Sequence, residues 1–240
     1  MTIYSNPRLV PSGGYVLHVE VCDEVSIECN AVVHSLYYRL LRFAEDNGIG
    51  SVEVVPTYSA VTIFYDPRQT SRKELTKVIL EFYPEALENP RTGRPRTYRI
   101  PVCYGGEYGP DMRSVVELTG LSEKDVIRIH SSRKYRCYML GFTPGFIYLG
   151  DVDDRIAVPR LSNPRTKIPP GSVGIAGKQT GVYGVESPGG WRLIGRTPVR
   201  MFDPARDPPI PIRPGDLVEF YPVSVEGFRE MFGKYVLEVQ

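Results

Sequence analysis

The residues best suited by type to bind a small anion are concentrated between Arg155 and Arg200. This window contains eight arginines and lysines and one acidic residue, Glu186, so it carries 8 − 1 = +7. The whole chain carries +1, which leaves 1 − 7 = −6 for the rest. Such a local cationic segment favours an anionic small molecule and argues against nucleic acid, which needs a broader basic surface. The alternative is a β-rich domain whose arginines are scattered in solvent.

The same window is rich in glycine. Gly171–Gly195 contains eight glycines among 25 residues, a density that indicates tight turns or close approach of another group to the backbone. Polar side chains interleaved with these glycines are of the kind that orient ligands in small-molecule pockets, although ordinary loop polarity is the alternative. The predicted substrate- or anion-binding residues are Arg160, Lys178, Gln179, Thr180, Tyr183 and Arg196.

Two further residues are candidates for a role in a site. Trp191, the only tryptophan, is predicted to stack on a ligand or contact a partner, with core packing as the alternative. His130 lies near the end of a predicted helix, where the helix dipole favours its charged form. It is a candidate catalytic residue together with Arg160, although a lone histidine is more often structural. Because the chain shows no Ser/His/Asp set and no paired carboxylates, the catalytic residues stay unassigned.

Nucleotide and metal motifs are incomplete. Gly177–Thr180 resembles part of a phosphate-binding loop, but Ser172 stands where the first glycine is required and Gln179 follows the lysine. The four cysteines form no CxxC pair, so we expect no structural metal. Without a signal pattern or a long apolar run, we expect a cytoplasmic protein with no membrane association and no disulfide.

The composition changes near Asn89–Pro95. Residues 1–95 contain five glycines and seven prolines, whereas residues 96–240 contain 18 and 15. We therefore predict an N-terminal α/β domain over 1–95, a linker at Asn89–Pro95, and a second domain over 96–240. The overall class is α+β.

The N-terminal domain is predicted to follow the order β-α-β-β-α-β of ferredoxin-like folds. Its first helix is expected to begin at Asn30 as the cap and run to about Asn47. A Ser71/Glu74 capping box predicts the second helix, which Pro84 is expected to end. The predicted strands are Tyr15–Val21, Ser51–Pro56, Ala60–Tyr65 and Thr97–Val102.

The second domain is predicted to be mostly β. Two short helices, Met112–Leu118 and Glu123–His130, precede a series of short apolar runs. The second helix follows a Ser122/Asp125 capping pattern. Four of the apolar runs each follow a Pro-Gly dipeptide, at Pro144, Pro170, Pro188 and Pro214. Proline and glycine suit the two central positions of a type II turn, and several short strands joined by such turns indicate a barrel or sandwich.

Four long segments resemble one known family. They are Pro101–Asp111, Leu140–Gly150, Pro169–Gly177 and Ser187–Pro198, in the order of the KipI/PxpB family, also called allophanate hydrolase subunit 1 or the carboxyltransferase C/D subdomain. The resemblance implies that a cyclophilin-like β-barrel follows the small α/β domain. It also implies a partner of the KipA/PxpC type with a similar barrel, and a third subunit of the LamB/YcsF type.

The resemblance further implies an activity. Such subunits form an ATP-dependent 5-oxoprolinase, a hetero-oligomer that opens the lactam of 5-oxoproline to L-glutamate, with ATP and Mg²⁺ as cofactors. The carboxylate of 5-oxoproline would suit an arginine such as Arg160 or Arg196. Two alternatives stay open: a module that inhibits a histidine kinase, and a carboxyltransferase subunit of a urea carboxylase or allophanate system.

Overall fold

The computed structural model describes residues 2–49, 52–90, 94–235 and 238–239. The chain divides into two compact units, Met1–Arg94 and Pro95–Gln240. Residues 91–93 of the predicted linker, and Ser51 at the start of a predicted strand, lie outside the described residues. None of the described helices combines the length and apolar character needed to cross a membrane.

The first unit is a four-stranded antiparallel sheet with two helices. Its elements are β1 Ile3–Ser12, β2 Val16–Cys22, α1 Ile27–Asp46, β3 Glu53–Pro56, β4 Ala60–Phe64 and α2 Arg72–Glu88. The sheet order is β1-β2-β4-β3. Apolar faces of both helices and of β2 and β4 form the core of this unit, in which Leu36, Ile63 and Ile79 are fully buried.

The predicted ferredoxin-like order is not confirmed. The strand expected to complete this sheet, Thr97–Val102, belongs to the second unit, and the edge position is taken instead by β1. Pro7 and Pro11 break the apolar alternation of β1 and so hide it from a sequence pattern. An edge strand tolerates proline because one side of it makes no ladder hydrogen bonds.

Helix α1 begins earlier than predicted. Ser26 is its cap, and the Ser26 hydroxyl accepts a hydrogen bond from the Cys29 N–H at 3.0 Å. Asn30 is buried inside the first turns, where its side-chain amide donates to the Thr57 and Tyr58 carbonyls at 3.2 and 3.3 Å. The asparagine therefore ties α1 to the β3–β4 turn and does not cap the helix.

Helix α2 confirms one prediction and corrects another. The Ser71/Glu74 capping box is present, with both reciprocal bonds. The helix nevertheless runs through Pro84 to Glu88. Proline fits helical φ and removes one N–H, so packing around the helix can outweigh its local cost. The buried neighbours Tyr83 and Ala86 supply that packing.

Cys22 and Cys29 form a disulfide, which corrects the expectation that this chain has none. The end of β2 and the first turn of α1 bring their Cα atoms to 6.2 Å, within the range that a disulfide can bridge. Cys103 and Cys137 are unpaired and buried in the second unit.

The second unit is a closed β-barrel, which confirms the barrel prediction. Its strands are β5 Thr97–Tyr104, β6 Lys134–Leu140, β7 Ile147–Gly150, β8 Arg165–Ile168, β9 Ser172–Ala176, β10 Gln179–Val182, β11 Ser187–Gly189, β12 Arg192–Arg196, β13 Leu217–Pro222 and β14 Glu238–Val239. The order β12-β9-β10-β7-β6-β13-β5 closes through a pairing of β12 with β5, so seven strands form the barrel. β14 adds to β5, and β8 pairs with β11 as a separate ribbon.

In the described part of the chain, three helices accompany the barrel. They are α3 Met112–Thr119, α4 Glu123–Ser131 and α5 Val225–Met231. The first two match the predicted helices, including the Ser122 cap of α4. Their apolar sides pack on one core with the inward-facing residues of the barrel, including the fully buried Val115 and Val126.

Three of the four Pro-Gly dipeptides adopt the predicted turn geometry. Gly145, Gly171 and Gly215 have φ values of 76°, 84° and 95°, which side-chain-bearing residues rarely adopt. The fourth glycine, Gly189, lies at the end of β11 and has no positive φ. A Cβ there would meet the Tyr183 hydroxyl, so close approach explains the glycine at this position.

Candidate functional site

A cleft of about 240 Å³ opens on the barrel unit beside the β8–β11 ribbon. Its walls come from the β6–β7 loop, from β7, and from the segments that flank β8 and β11. Aromatic residues, prolines and glycines dominate, and the described lining includes one charged side chain. The lining residues are Phe142, Phe146, Tyr148, Arg160, Pro164, Tyr183, Pro188, Gly189, Gly190 and Trp191.

The floor of the cleft is a cluster of aromatic rings. The Phe146 ring meets Tyr183 and Trp191 edge-to-face, with centroids 4.8 and 5.3 Å apart. Tyr148 approaches Trp191 in the same manner at 5.8 Å. Phe146, Tyr183 and Trp191 are all buried. Because edge-to-face packing holds each ring by its neighbours, the floor is a preorganised apolar surface.

The mouth of the cleft carries an exposed aromatic side chain in an unusual backbone conformation. Phe142 is 58% exposed, contacts Phe146 edge-to-face at 5.7 Å and has φ = 67°. A bulky residue in the left-handed region is strained, and such strain concentrates at functional sites. The β6–β7 loop therefore places the apolar Phe142 ring at the entrance of the cleft, although a positive φ is unfavourable for a bulky residue.

Arg160 is the charged residue of the cleft. Its guanidinium carbon lies 5.9 Å from the centroid of the Trp191 ring, within the range of a cation–π contact. Arg160 is exposed and, among the residues that the structure describes, has no carboxylate within ion-pair distance. Its positive charge therefore lies over an apolar floor with no anion from the protein to neutralise it.

Most of the other cations between Arg155 and Arg200 are neutralised. Five of the eight pair with carboxylates, and four of those carboxylates lie outside this window. The pairs are Arg155–Asp153, Arg165–Asp111, Lys167–Glu186, Lys178–Asp154 and Arg200–Asp203. The +7 window is thus not a continuous cationic surface. Arg160, Arg192 and Arg196 are the three cations of this window without a carboxylate partner in the described part of the chain.

The tyrosine hydroxyls of the cleft stay protonated. Burial raises the pKa of Tyr183 to about 12, and burial also raises the pKa of Tyr148. The Tyr183 hydroxyl lies against Gly189 in the wall of the cleft and keeps its proton for donation. The cleft thus combines one cation, an apolar floor and a hydroxyl donor.

Four of the predicted binding residues do not line this cleft. Lys178 lies in the β9–β10 turn and pairs with Asp154 at 2.8 Å, which raises the pKa of Lys178. Gln179 and Thr180 follow in β10, where Thr180 is fully buried. Arg196 lies at a second, smaller cleft of about 140 Å³ and donates to the Pro170 carbonyl at 2.8 Å. The cleft brings together Arg160, Tyr183 and Trp191.

His130 lies in the interior of the barrel unit. Its two ring nitrogens lie 2.8 Å from the Tyr104 hydroxyl and 2.9 Å from the Thr180 hydroxyl, and its ring stacks on Phe220. Burial lowers its pKa to about 3, so the ring is neutral at physiological pH. This corrects the expected charged histidine, because desolvation outweighs the helix dipole. Fully buried and bonded at both nitrogens, His130 is not an exposed acid–base group.

Sequence reasoning assigned no role to three residues of the cleft, Phe142, Phe146 and Tyr148. All three fall in the Leu140–Gly150 segment that carries part of the family resemblance. Their signal was an aromatic-rich run interrupted by Gly141 and by the Pro144-Gly145 turn. Aromatic residues on strands usually pack in the core, so the pattern alone does not separate a cleft wall from an interior.

Comparisons with known proteins agree on one family. Residues 7–212 match the model of the carboxyltransferase domain, subdomain C and D. A 5-oxoprolinase subunit from Bacillus subtilis is 39% identical over 226 residues, which cover 90% of this chain and 92% of that protein. The subunit of the same name from Escherichia coli O157:H7 is 45% identical over 173 residues, covering 71% and 78%.

A solved structure shares the fold within a longer chain. The crystal structure of the K. lactis urea amidolyase matches with a TM-score of 0.73 and 21% identity. The match covers 97% of this chain and 16% of that one. At this identity the likeness shows the fold alone.

Proposed function

The chain belongs to the carboxyltransferase domain, subdomain C and D family, and we propose that it is a subunit of an ATP-dependent 5-oxoprolinase. In this proposal the complex opens the lactam of 5-oxoproline to L-glutamate. The relatives that share 39% and 45% identity, both named as the same 5-oxoprolinase subunit, support this assignment over the alternatives.

The observation that carries the proposal is the position of Arg160 over the aromatic floor. 5-Oxoproline is a small ring with one carboxylate. Its carboxylate suits the two-pronged donor of an arginine, and its ring suits the faces of Trp191 and Tyr148. Among the described residues, no carboxylate forms an ion pair with Arg160. A ligand carboxylate can therefore bind the guanidinium without displacing a protein partner.

The residues of this chain would bind and orient the substrate. With the carboxylate held by Arg160, the packed rings of Phe146, Tyr183 and Trp191 exclude water from one side of the lactam. The Tyr183 hydroxyl has a proton to donate to a lactam oxygen that enters the cleft. A fixed orientation of this kind lowers the entropic part of the barrier.

ATP with Mg²⁺ does not fit the cleft by its donor set. The described residues of the lining offer one cation and no carboxylate, whereas a nucleotide triphosphate and its metal ion need several cations and oxygen ligands. Elsewhere, the described residues contain no group of three His, Cys, Asp or Glu side chains arranged to hold a metal ion. We therefore assign the nucleotide to the assembled complex and the substrate carboxylate to this chain.

The proposed partners are a KipA/PxpC-type barrel subunit and a LamB/YcsF-type subunit. The cleft supplies substrate contacts but no complete acid–base or nucleophile set, which is expected if other subunits complete the site. The word "subunit" in the names of both curated relatives supports a multi-subunit assembly. An obligate contact of this kind should bury on the order of 2,000 Å² or more.

Reconstitution tests the proposal. Glutamate and ADP release from 5-oxoproline and ATP is measured with all three subunits and with each omitted in turn. We expect turnover only with the full set. Arg160→Ala should raise the KM for 5-oxoproline by roughly 5- to 30-fold, because the contact of an exposed arginine over an apolar floor should lie between that of a surface pair, about 0–1 kcal/mol, and that of a buried pair, about 2–5 kcal/mol. Lys167→Ala removes the same charge from an exposed pair outside the cleft and should leave the KM unchanged.

Two results would change the assignment. Turnover by this chain alone would refute the need for partners. No turnover with all three subunits would favour the carboxyltransferase alternative, which the family's name supports, or the histidine-kinase inhibitor. A carboxyltransferase would show itself by exchange of carboxyl groups with carboxybiotin, and a kinase inhibitor by tight binding to a kinase without turnover.

A further inference from the structure

We propose that the aromatic cleft selects ring carboxylates that carry no amine, so that it admits 5-oxoproline and rejects both proline and the product glutamate. This inference rests on the proposed function, because it concerns the same cleft. It goes beyond that function by stating which chemical feature of a ligand the cleft discriminates, and it follows from the charges and acceptors around the cleft.

The charge balance of the lining favours a ligand with a single negative charge. Arg160 provides one positive charge, and none of the described residues that line the cleft is a carboxylate. A ligand with one carboxylate and no other charge is neutralised by Arg160. Proline also carries an ammonium group next to its carboxylate. That ammonium would enter an apolar cleft beside the Arg160 guanidinium, with no anion to pair with it, which is costly.

Backbone carbonyls are the acceptors that could replace a carboxylate as partners of an ammonium. The Gly190 carbonyl, in the wall of the cleft, accepts from the Leu161 N–H at 2.7 Å. The Pro159 carbonyl, next to Arg160 in the chain, accepts from the Arg192 side chain at 2.9 Å. Both carbonyls are therefore already engaged by donors of the protein.

The Tyr183 hydroxyl also distinguishes a lactam from an amine. This hydroxyl lies against Gly189 in the wall of the cleft, and burial keeps it protonated. A lactam oxygen is an acceptor and can receive that proton, whereas an ammonium is a donor only and cannot. The same hydroxyl therefore favours the uncharged lactam over an amine at this point of the cleft.

Ring opening converts the ligand into a product that should bind the cleft more weakly. One carboxylate and a neutral lactam become two carboxylates and one ammonium. Arg160 can pair with one of those carboxylates, which leaves the second carboxylate and the ammonium without partners in the lining. Glutamate should therefore leave the cleft readily, and the cleft should show little product inhibition.

Trp191 gives a direct measurement of binding. It is the only tryptophan of the chain and lines the cleft, so its fluorescence reports occupancy in the full-length protein. The probes are 5-oxoproline, cyclopentanecarboxylate, L-proline and L-glutamate, each titrated at neutral pH. We expect the first two to change the fluorescence. The two amines should bind roughly 10- to 100-fold more weakly, as for an unsatisfied buried polar or charged group.

Two Arg160 variants and one control variant show whether Arg160 controls this selection. Arg160→Ala should abolish the response to both amine-free carboxylates, while Lys167→Ala should retain it, because Lys167 and Glu186 are exposed and outside the cleft. A second variant, Arg160→Lys, keeps the charge and should retain part of the affinity. The thermal unfolding of both Arg160 variants is recorded as well, to separate a loss of binding from a loss of folding.

The outcomes separate this inference from the proposed function. Proline or glutamate binding within threefold of 5-oxoproline would overturn the inference, as would the absence of any response to 5-oxoproline and cyclopentanecarboxylate. In either case, turnover by the reconstituted complex would leave the proposed function standing. Selective binding by the chain together with an inactive complex would support the inference and count against the proposed function.

Discussion

The ion pair between Arg165 and Asp111 should be the main anchor of the ribbon that forms one wall of the cleft. Arg165 donates two hydrogen bonds to the Asp111 carboxylate, at 2.7 and 2.8 Å. The same carboxylate accepts the Leu193 backbone N–H at 2.8 Å. Asp111 precedes α3, Leu193 lies in β12 and Arg165 starts β8, so one buried side chain joins three elements. We predict that Asp111→Asn destabilises the barrel and loosens the cleft.

The magnitude follows from burial. The Asp111 side chain is 9% exposed and that of Arg165 is 32% exposed. Removing one partner of a fully buried pair costs about 3–5 kcal/mol, whereas a surface pair contributes about 0–1 kcal/mol. A pair with one buried and one partly exposed member should lie between, at about 2–3 kcal/mol. Asparagine matches aspartate in size, so no cavity contributes to this difference.

The assay is urea unfolding followed by the fluorescence of Trp191. Since Trp191 is the only tryptophan and lies in the barrel unit, the signal reports that unit alone. The matched control is Glu117→Gln, which removes a carboxylate from an exposed pair with Arg113 and should cost less than about 0.5 kcal/mol. An Asp111→Asn variant as stable as this control would refute the reasoning. Weaker 5-oxoproline binding by Asp111→Asn is the accompanying expectation.

Three further predictions concern pH, backbone strain and domain division. Burial holds the pKa of His130 at about 3, below its ordinary 6.5, so barrel stability should be full above about pH 6.5 and fall as the pH is lowered towards 3. Urea titrations should show that slope, and His130→Gln should flatten it. At Phe142, glycine suits φ = 67°, so Phe142→Gly should keep or raise stability by up to about 1 kcal/mol while weakening ligand binding. Phe142→Ala, which retains the strain, is the control, and equal ligand affinity in both variants and the wild type would exclude a role for the ring. Limited proteolysis should cut first within residues 89–97, and preferred cleavage inside 135–220 would contradict the predicted domain limits.

Features that depend on a few adjacent residues could be predicted from the sequence. The capping box at Ser71 and the cap at Ser122 need only the residues within one helical turn. The Pro-Gly turns at Gly145, Gly171 and Gly215 depend on the φ preferences of two residues. These turns together with the short apolar runs indicated a barrel or sandwich, and the family resemblance implied the barrel.

Features that depend on distant contacts could not be predicted. The role of Asn30 is decided by the carbonyls of Thr57 and Tyr58, which are 27 and 28 residues away. The prolines of edge strand β1 hide its alternation in the sequence. The strand Thr97–Val102 was therefore wrongly assigned to the sheet of the first unit. The aromatic floor joins Phe146, Tyr183 and Trp191, which come from three separate segments. No local periodicity indicates that they meet.

The +7 window shows why a local excess of positive charge in the sequence does not by itself identify a binding site. A sum over adjacent residues counts charges that distant carboxylates neutralise in the fold, as Asp154 does for Lys178. A paired cation must give up its partner before it can bind a ligand, and the exchange yields little free energy. Arg160 gives up no carboxylate among the described residues, and a ligand that covers it also displaces water from the Trp191 ring, which strengthens the new ion pair. Arg160 therefore differs from Lys178 in two ways: it has no carboxylate partner in the described part of the chain, and it lies over an apolar floor. For these reasons Arg160 is the residue to test first.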